Sequence, residues 1–199
     1  NNDRFYAQSL NWIQRSISTA QLKGEHNFAN ANNLMVDWIA SYTLAKQDQP
    51  DFRLFAYDIE DYGSANPQVQ ISQQAYQPPA RFFRKMNENN IDLKLNLALP
   101  FNNWTGTKGK FKFGGAYLNK DRDFSELQYD YLDQNGSFNG NISNFISDAN
   151  IVESFQDQGF WMRDNRQLSN TYKGLQSITG AYAMAELPLT KSLKSIFGV

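Results

Sequence analysis

From Asn90 to Leu99 the chain alternates without interruption: Ile91, Leu93, Leu95, Leu97 and Leu99 take one parity, while Asp92, Lys94 and Asn96 take the other. A period of two puts five aliphatic side chains on one face of an extended strand and the polar ones on the opposite face. A helix at 3.6 residues per turn does not sort residues in this way.

The same signature recurs along the chain. Leu34 to Leu44 sets Val36, Trp38, Ala40, Tyr42 and Leu44 against Asp37, Ser41 and Thr43, with Ile39 as the one apolar intruder. Lys110 to Leu118 sets Phe111, Phe113 and Tyr117 against Lys110 and Lys112; Gly114 and Gly115 mark a place where a strand bends or a neighbour approaches closely. Ala20 to Phe28 reads more faintly, with Leu22, His26 and Phe28 opposite Gln21, Lys23, Glu25 and Asn27. A fifth strand is expected over about Tyr172 to Leu187, with Ile178, Tyr182 and Met184 on its apolar parity and Ala181, Ala183 and Ala185 blurring the contrast. A sixth begins near Leu193. Because it is cut off at Val199, the chain is expected to be a stretch of a longer protein.

The connections between these strands are unequal. Polar turns at 29–33, 102–109 and 190–192 are short, whereas the links at about 47–81 and 120–170 far exceed ordinary connections. Long and short alternate, so one sheet edge should carry tight turns and the other large loops, the layout of outer-membrane barrels with short periplasmic turns and long extracellular loops. Leu-Ala-Leu-Pro-Phe at 97–101 is echoed by Ala-Glu-Leu-Pro-Leu at 185–189. Each proline falls where a strand leaves its ladder and the missing N–H is harmless. Phe28, Phe101, Trp104 and Phe111 gather toward the short turns, and Phe82, Phe83 and Tyr117 toward the loops, as two interfacial girdles would.

Composition narrows the function classes. Nineteen basic and 20 acidic residues leave a net charge of -1 and no electrostatic footprint for nucleic acid. Cysteine is absent and His26 is the only histidine, which removes disulfides, thiolate chemistry and most metal or triad arrangements. His26, on the outward parity near the short-turn edge, is expected to be structural. No apolar run approaches the ~18 to 20 residues of a spanning helix. The mean hydropathy of -0.62 does not argue against a barrel, whose strands alternate lipid-facing and lumen-facing residues. Asn1 to Asp3 has neither the basic start nor the apolar stretch of a signal peptide. No nucleophile motif or distinctive carboxylate pair marks an enzyme, and no cofactor is expected.

A soluble antiparallel sandwich alternates in the same way. Its version here is a secreted or periplasmic ligand-binding module, for carbohydrate for instance. The two architectures part on one question. Val36, Trp38, Ile91, Leu93, Leu95, Leu97, Phe111 and Phe113 form an exposed band in a membrane barrel and pack against a second sheet in a sandwich.

The run Arg81-Phe-Phe-Arg-Lys-Met-Asn-Glu-Asn-Asn-Ile-Asp-Leu-Lys-Leu-Asn-Leu-Ala-Leu-Pro-Phe101 resembles a barrel segment of TonB-dependent receptors of the Bacteroidetes type. Lys110-Phe-Lys-Phe-Gly-Gly-Ala-Tyr117, Lys120-Asp-Arg-Asp-Phe124 and Ala181-Tyr-Ala-Met-Ala-Glu-Leu-Pro-Leu-Thr-Lys191 are similar to strands that follow in that family. Asn2-Asp-Arg-Phe-Tyr-Ala-Gln-Ser-Leu10 and Val36-Asp-Trp38 also fit, so the resemblance spans nearly the whole chain. It implies an all-β, up-and-down transmembrane barrel segment, about six strands of a barrel of about 22, in the outer membrane of a Gram-negative bacterium. It further implies import of a scarce metal chelate, vitamin or oligosaccharide. Lipid would surround the wall, TonB would be engaged through an N-terminal segment not included here, and a surface lipoprotein is a further partner.

Recognition would fall to the loops, which vary freely on a rigid scaffold. The acidic and aromatic stretch from Tyr57 through Asp58 to Tyr62, and Phe160, Trp161 and Arg163, are the candidate ligand contacts. Asp58, Glu60 and Asp61 match no calcium-loop spacing and read as a solvated acidic segment. Asp37, Ser41, Thr43, Asp92, Lys94 and Asn96 are expected to face the lumen.

Overall fold

The computed structural model describes residues 2–72, 78–103, 106–153, 156–190 and 192–199. The fold is all-β, with 70% of the described residues in strands and 7% in helices. In chain order the strands are β1 (Arg4–Leu10), β2 (Gln14–Phe28), β3 (Leu34–Glu60), β4 (Gln68–Ile71), β5 (Ala80–Asn102), β6 (Lys108–Gln134), β7 (Gly159–Asp164), β8 (Tyr172–Pro188) and β9 (Lys194–Gly198). A one-turn helix, α1 (Ile142–Phe145), lies between β6 and β7.

All nine strands belong to one open sheet. Its main path runs β1-β3-β5-β6-β8-β9, with β2 and β4 also paired to β3, and β7 to β6. This is an antiparallel meander in which long strands take sequence neighbours as partners. β2, β3, β5, β6, β8 and β9 are the six strands that the alternation predicts.

The long links are shorter than the sequence reading expects. β3 continues to Glu60 and β6 to Gln134, 27 residues each, and β1, β4 and β7 add to the sheet. The pattern is masked there because apolar residues occupy both parities. Phe52 stacks on Phe82 while its neighbours Arg53 and Phe55 line a cleft with Tyr131. Between α1 and β7 a 3-10 turn spans Asp148–Asn150.

The chain divides into two compact units, to both of which β3, β5 and β6 contribute. Unit 1 comprises 1–15, 47–86 and 124–172; unit 2 comprises 16–46, 87–123 and 173–199.

Unit 2 holds the three tight turns. In the first, Asn32 and Asn33 both adopt φ of 56°, a left-handed conformation that asparagine tolerates better than most residues. In the second, the Asn103 and Thr107 backbones close the loop and Asn103 Oδ1 accepts from Thr107 N–H and Oγ1. In the third, Thr190 Oγ1 accepts from the N–H groups of Ser192 and Leu193. Asparagine side chains tie adjacent turns together: Asn32 Nδ2 donates to Pro100 O at 3.0 Å, and Asn103 Nδ2 donates to Pro188 O. The two prolines of the sequence echo therefore occupy equivalent positions. Trp104 and Lys191, both part of the sequence reading of these turns, lie outside the described residues.

Unit 1 has an aromatic core. Phe55, Tyr131, Phe138, Phe145 and Phe160 are buried together, flanked by Tyr57, Val69, Ile71, Ile142, Ile146 and Met162. The connection after β6 is anchored at its start, where Asp133 Oδ1 accepts from Ser137 N–H and Oγ, and at its end, where Asn135 Nδ2 reaches the carbonyls of Gln156 and Asp157.

Candidate functional site

The two faces of the unit 2 sheet differ in chemistry. On one, Ile91, Leu93 and Leu95 expose 42%, 44% and 48% of their surface, Phe111 and Phe113 are similarly exposed, and Val36, Trp38 and Leu97 are half-buried. No second sheet covers them among the described residues. A contiguous apolar face of this kind is unusual on a water-soluble monomer.

The other face is polar and internally paired. Asn96 donates to Asp37 Oδ1 at 2.8 Å and accepts from the Tyr182 hydroxyl at 3.1 Å. Arg122 Nε donates to Glu88 Oε2 at 2.6 Å, and Glu186 is bracketed by Lys112 and Lys194. Tyr182 and Glu186 therefore place the even residues of β8 on the polar face, which corrects the apolar parity read from Ile178, Tyr182 and Met184. The alanines carry the apolar side, where Ala183 and Ala185 share a shallow groove with Phe111, Phe113 and Phe197. Small side chains there leave room for the phenylalanines.

Glycines on this sheet seat aromatic rings from neighbouring strands. A Cβ on Gly114 would meet the Tyr182 ring and Asn96 Oδ1, and a Cβ on Gly24 would overlap the Trp38 indole. Trp38 Nε1 in turn donates to His26 Nε2 at 3.3 Å, giving the sole histidine a side-chain partner. Phe101 and Phe111 stack at 4.5 Å between ring centres, whereas Phe82, read as a girdle residue, is buried against Phe52.

The sequence-derived ligand candidates fall in unit 1, mostly on strands. Phe160 lies on β7 and is 1% exposed, edge-on to Tyr131. Its ring belongs to the core and presents no surface on which a ligand can stack. Trp161, paired with Leu132, is partly exposed. Arg163 reaches the Asp130 carboxylate. Tyr57 stacks on Tyr6 at 5.1 Å and meets Phe138 edge-on. Asp58 lies on β3 opposite Phe5 and Gln70. Tyr62 is exposed, with the Arg4 guanidinium 3.6 Å above its ring and its backbone bonded to Asn2. The structure thus buries Phe160 in the core and leaves Tyr57, Asp58 and Trp161 half-buried and Tyr62 and Arg163 exposed, with Tyr57 committed to its ring contacts.

Asp58, Glu60 and Asp61 do not converge. Glu60 Oε1 accepts from Gln70, the Asp61 N–H donates to Asp3, and no group of three or more potential metal ligands occurs among the described residues.

Two ionic clusters in unit 1 escape the sequence reading. Asp51 accepts from Arg53 Nε and Nη2 and from Arg81 Nε and Nη2, at 2.5 to 3.0 Å. Burial alone would raise the Asp51 carboxyl, but the two guanidinium groups together hold it below its usual value. Hydrogen bonding to Asp51 raises Arg81 in turn, and burial pushes the neighbouring Tyr131 phenol upward. In the second cluster Glu126 accepts from Arg84 Nε at 2.5 Å and from Asn170 Nδ2 at 2.6 Å. Arg81, Arg84 and Asn170 lie 30 to 44 positions from the carboxylates they reach, so only Arg53, two residues from Asp51, could be paired with its carboxylate from local spacing.

Comparisons with protein-family models, with curated proteins and with solved structures give no match to this chain.

Proposed function

We propose that the chain is part of the wall of a bacterial outer-membrane β-barrel of the TonB-dependent receptor type, a non-catalytic importer of a scarce ligand such as a metal chelate, vitamin or oligosaccharide. The observation that carries this reading is the pairing, in unit 2, of an uncovered apolar face with an ion-paired polar one. Lipid would meet the first, and the second would face the lumen. The unit 2 portions of β3, β5, β6 and β8, at 34–46, 87–102, 108–123 and 173–188, each exceed the ~9 to 11 residues that a tilted strand needs to cross the hydrocarbon layer.

An open sheet in lipid would leave unpaired backbone groups at its edges, each costing several kcal/mol, so further strands would complete the barrel. No helix among the described residues is long and apolar enough to cross a membrane, which bears only on helices. Unit 1, with its partly buried ionic clusters, would lie in water and carry ligand recognition through Trp161, Arg163, Asp58 and Tyr62. The sandwich alternative requires a second sheet over Leu93 and Leu95, and all nine described strands belong to one sheet.

The absence of cysteine makes the test direct. Single cysteines placed in turn at positions 91 to 96, spin-labelled in protein reconstituted into vesicles, should alternate. Labels at 91, 93 and 95 should be relaxed by oxygen dissolved in the bilayer, and those at 92, 94 and 96 by a water-soluble nickel chelate. Uniform access to the nickel chelate at all six sites would refute a lipid-facing wall.

A further inference from the structure

Unit 1 contains a cleft of about 190 Å³ between β1, β3, β6 and α1. Phe55, Ile146 and the Tyr131 ring give it an apolar floor, and Arg53, Gln8 and Ser143 stand at its polar side. Three features of this cleft point to one class of ligand.

The first is charge. Arg53 and Arg81 share the single carboxylate of Asp51, so the cluster carries one uncompensated positive charge, and no acidic residue lines the cleft. The second is unused hydrogen-bonding capacity. Arg53 gives Nε and Nη2 to Asp51, which leaves the other guanidinium donors. The Gln8 amide and the Ser143 hydroxyl, both on exposed residues of the cleft rim, form no hydrogen bond within the described residues. The third is size: the volume is below the ~300 to 1,000 Å³ typical of drug-sized pockets, while the combination of an apolar floor with a few convergent polar groups is that of a small-molecule site.

We propose that this cleft binds a small organic acid, one carboxylate carried on a compact apolar body of about the size of benzoate. The carboxylate would meet Arg53, whose planar fork suits that geometry, with Ser143 and Gln8 as additional donors. The apolar body would lie on Phe55 and Ile146. This inference does not rest on the lipid-facing reading, whose test concerns strand positions in unit 2.

Calorimetric titration of the purified protein with benzoate, benzamide and acetate tests it. Saturable benzoate binding, about tenfold or more tighter than benzamide or acetate, is expected, because benzamide lacks the charge and acetate lacks the apolar body. Arg53→Gln should weaken benzoate by about the same factor and leave benzamide unchanged. Ile146→Trp, which puts an indole where Ile146 lines the cleft, should abolish binding of both ring compounds. Should Arg53→Gln unfold unit 1, the benzoate-to-benzamide ratio and Ile146→Trp still decide. No saturation by about 10 mM benzoate, equal affinity for benzamide, or binding that survives Ile146→Trp overturns the proposal.

Discussion

Arg163 Nη2 donates to Asp130 Oδ2 at 2.8 Å and completes a shell of donors in which Gln128 Nε2 and Asn165 Nδ2 also reach that carboxylate. Asp130 has 0% of its surface exposed, whereas the Arg163 side chain is 48% exposed. The cation therefore neutralises a buried anion from the solvent side and joins β7 to β6. Arg163→Met should leave the charge with two neutral donors and cost about 1 to 3 kcal/mol, less than breaking a fully buried pair because the arginine is half in water. Urea unfolding midpoints of the two proteins measure it, and an unchanged midpoint would assign the contact no stabilising role.

The Asp51 cluster predicts a pH dependence. Its carboxyl is held below the ordinary value in the folded state, so the folded protein binds this proton less readily than the unfolded chain does. The stabilisation is fully present above the unfolded value of about 3.9 and is lost as pH falls through the lower folded value. Between neutrality and about pH 3, wild type should lose more stability than Asp51→Asn. Parallel profiles for the two proteins would contradict the assignment.

Two glycines on the same sheet should respond oppositely to alanine. At Gly114 a Cβ runs into the Tyr182 ring and Asn96 Oδ1, so Gly114→Ala must displace the ring that bonds Asn96. A loss of about 1 to 3 kcal/mol is expected. At Gly180 a Cβ meets nothing within 4 Å, and Gly180→Ala should be neutral or gain up to about 1 kcal/mol through the unfolded chain's lost freedom. Thermal midpoints should move in opposite directions, or for Gly114→Ala alone.

Phe145 on α1 is buried and contacts Phe55, Phe138 and Phe160. Truncation to alanine should cost about 3 to 5 kcal/mol and release the connection between β6 and β7. Hydrogen exchange followed by mass spectrometry should show faster exchange over 135–150 in Phe145→Ala, with β8 and β9 unchanged. Equal protection in both proteins would show that Asp133 and Asn135 hold the segment without the aromatic core.

The parts of the fold that the sequence makes legible are those with one apolar and one polar face. Residues 90–99 sort cleanly because water or lipid covers one side and paired polar groups the other. Legibility fails where both faces are covered. At 51–57 Phe52 and Phe55 fall on opposite parities and are both packed, so the segment reads as a loop although it is strand. β8 misleads in another way: Tyr182 is large and mostly carbon, but its hydroxyl commits it to Asn96, and the alanines opposite it look too small to mark a face. Among the ligand candidates, an aromatic next to an arginine is an ambiguous sign. Phe160 is buried in the core, and Arg163 neutralises an aspartate 33 positions away while keeping about half of its side chain exposed. Of the arginines that share Asp51, Arg53 lies two residues away on the same strand, but Arg81 comes from 30 positions along the chain and carries no local signature.

The stitch from Asn32 to Pro100, repeated from Asn103 to Pro188, bears on how such a sheet can grow. Each strand hairpin is fastened to the next by one side chain in its turn and one carbonyl at the neighbour's proline, and the meander gives every long strand sequence neighbours for partners. Copying a hairpin together with its asparagine and its Leu-Pro ending would thus supply both halves of the next fastening and disturb a single seam. Gene duplication would lengthen such a sheet two strands at a time, with the register of the older strands left as it was.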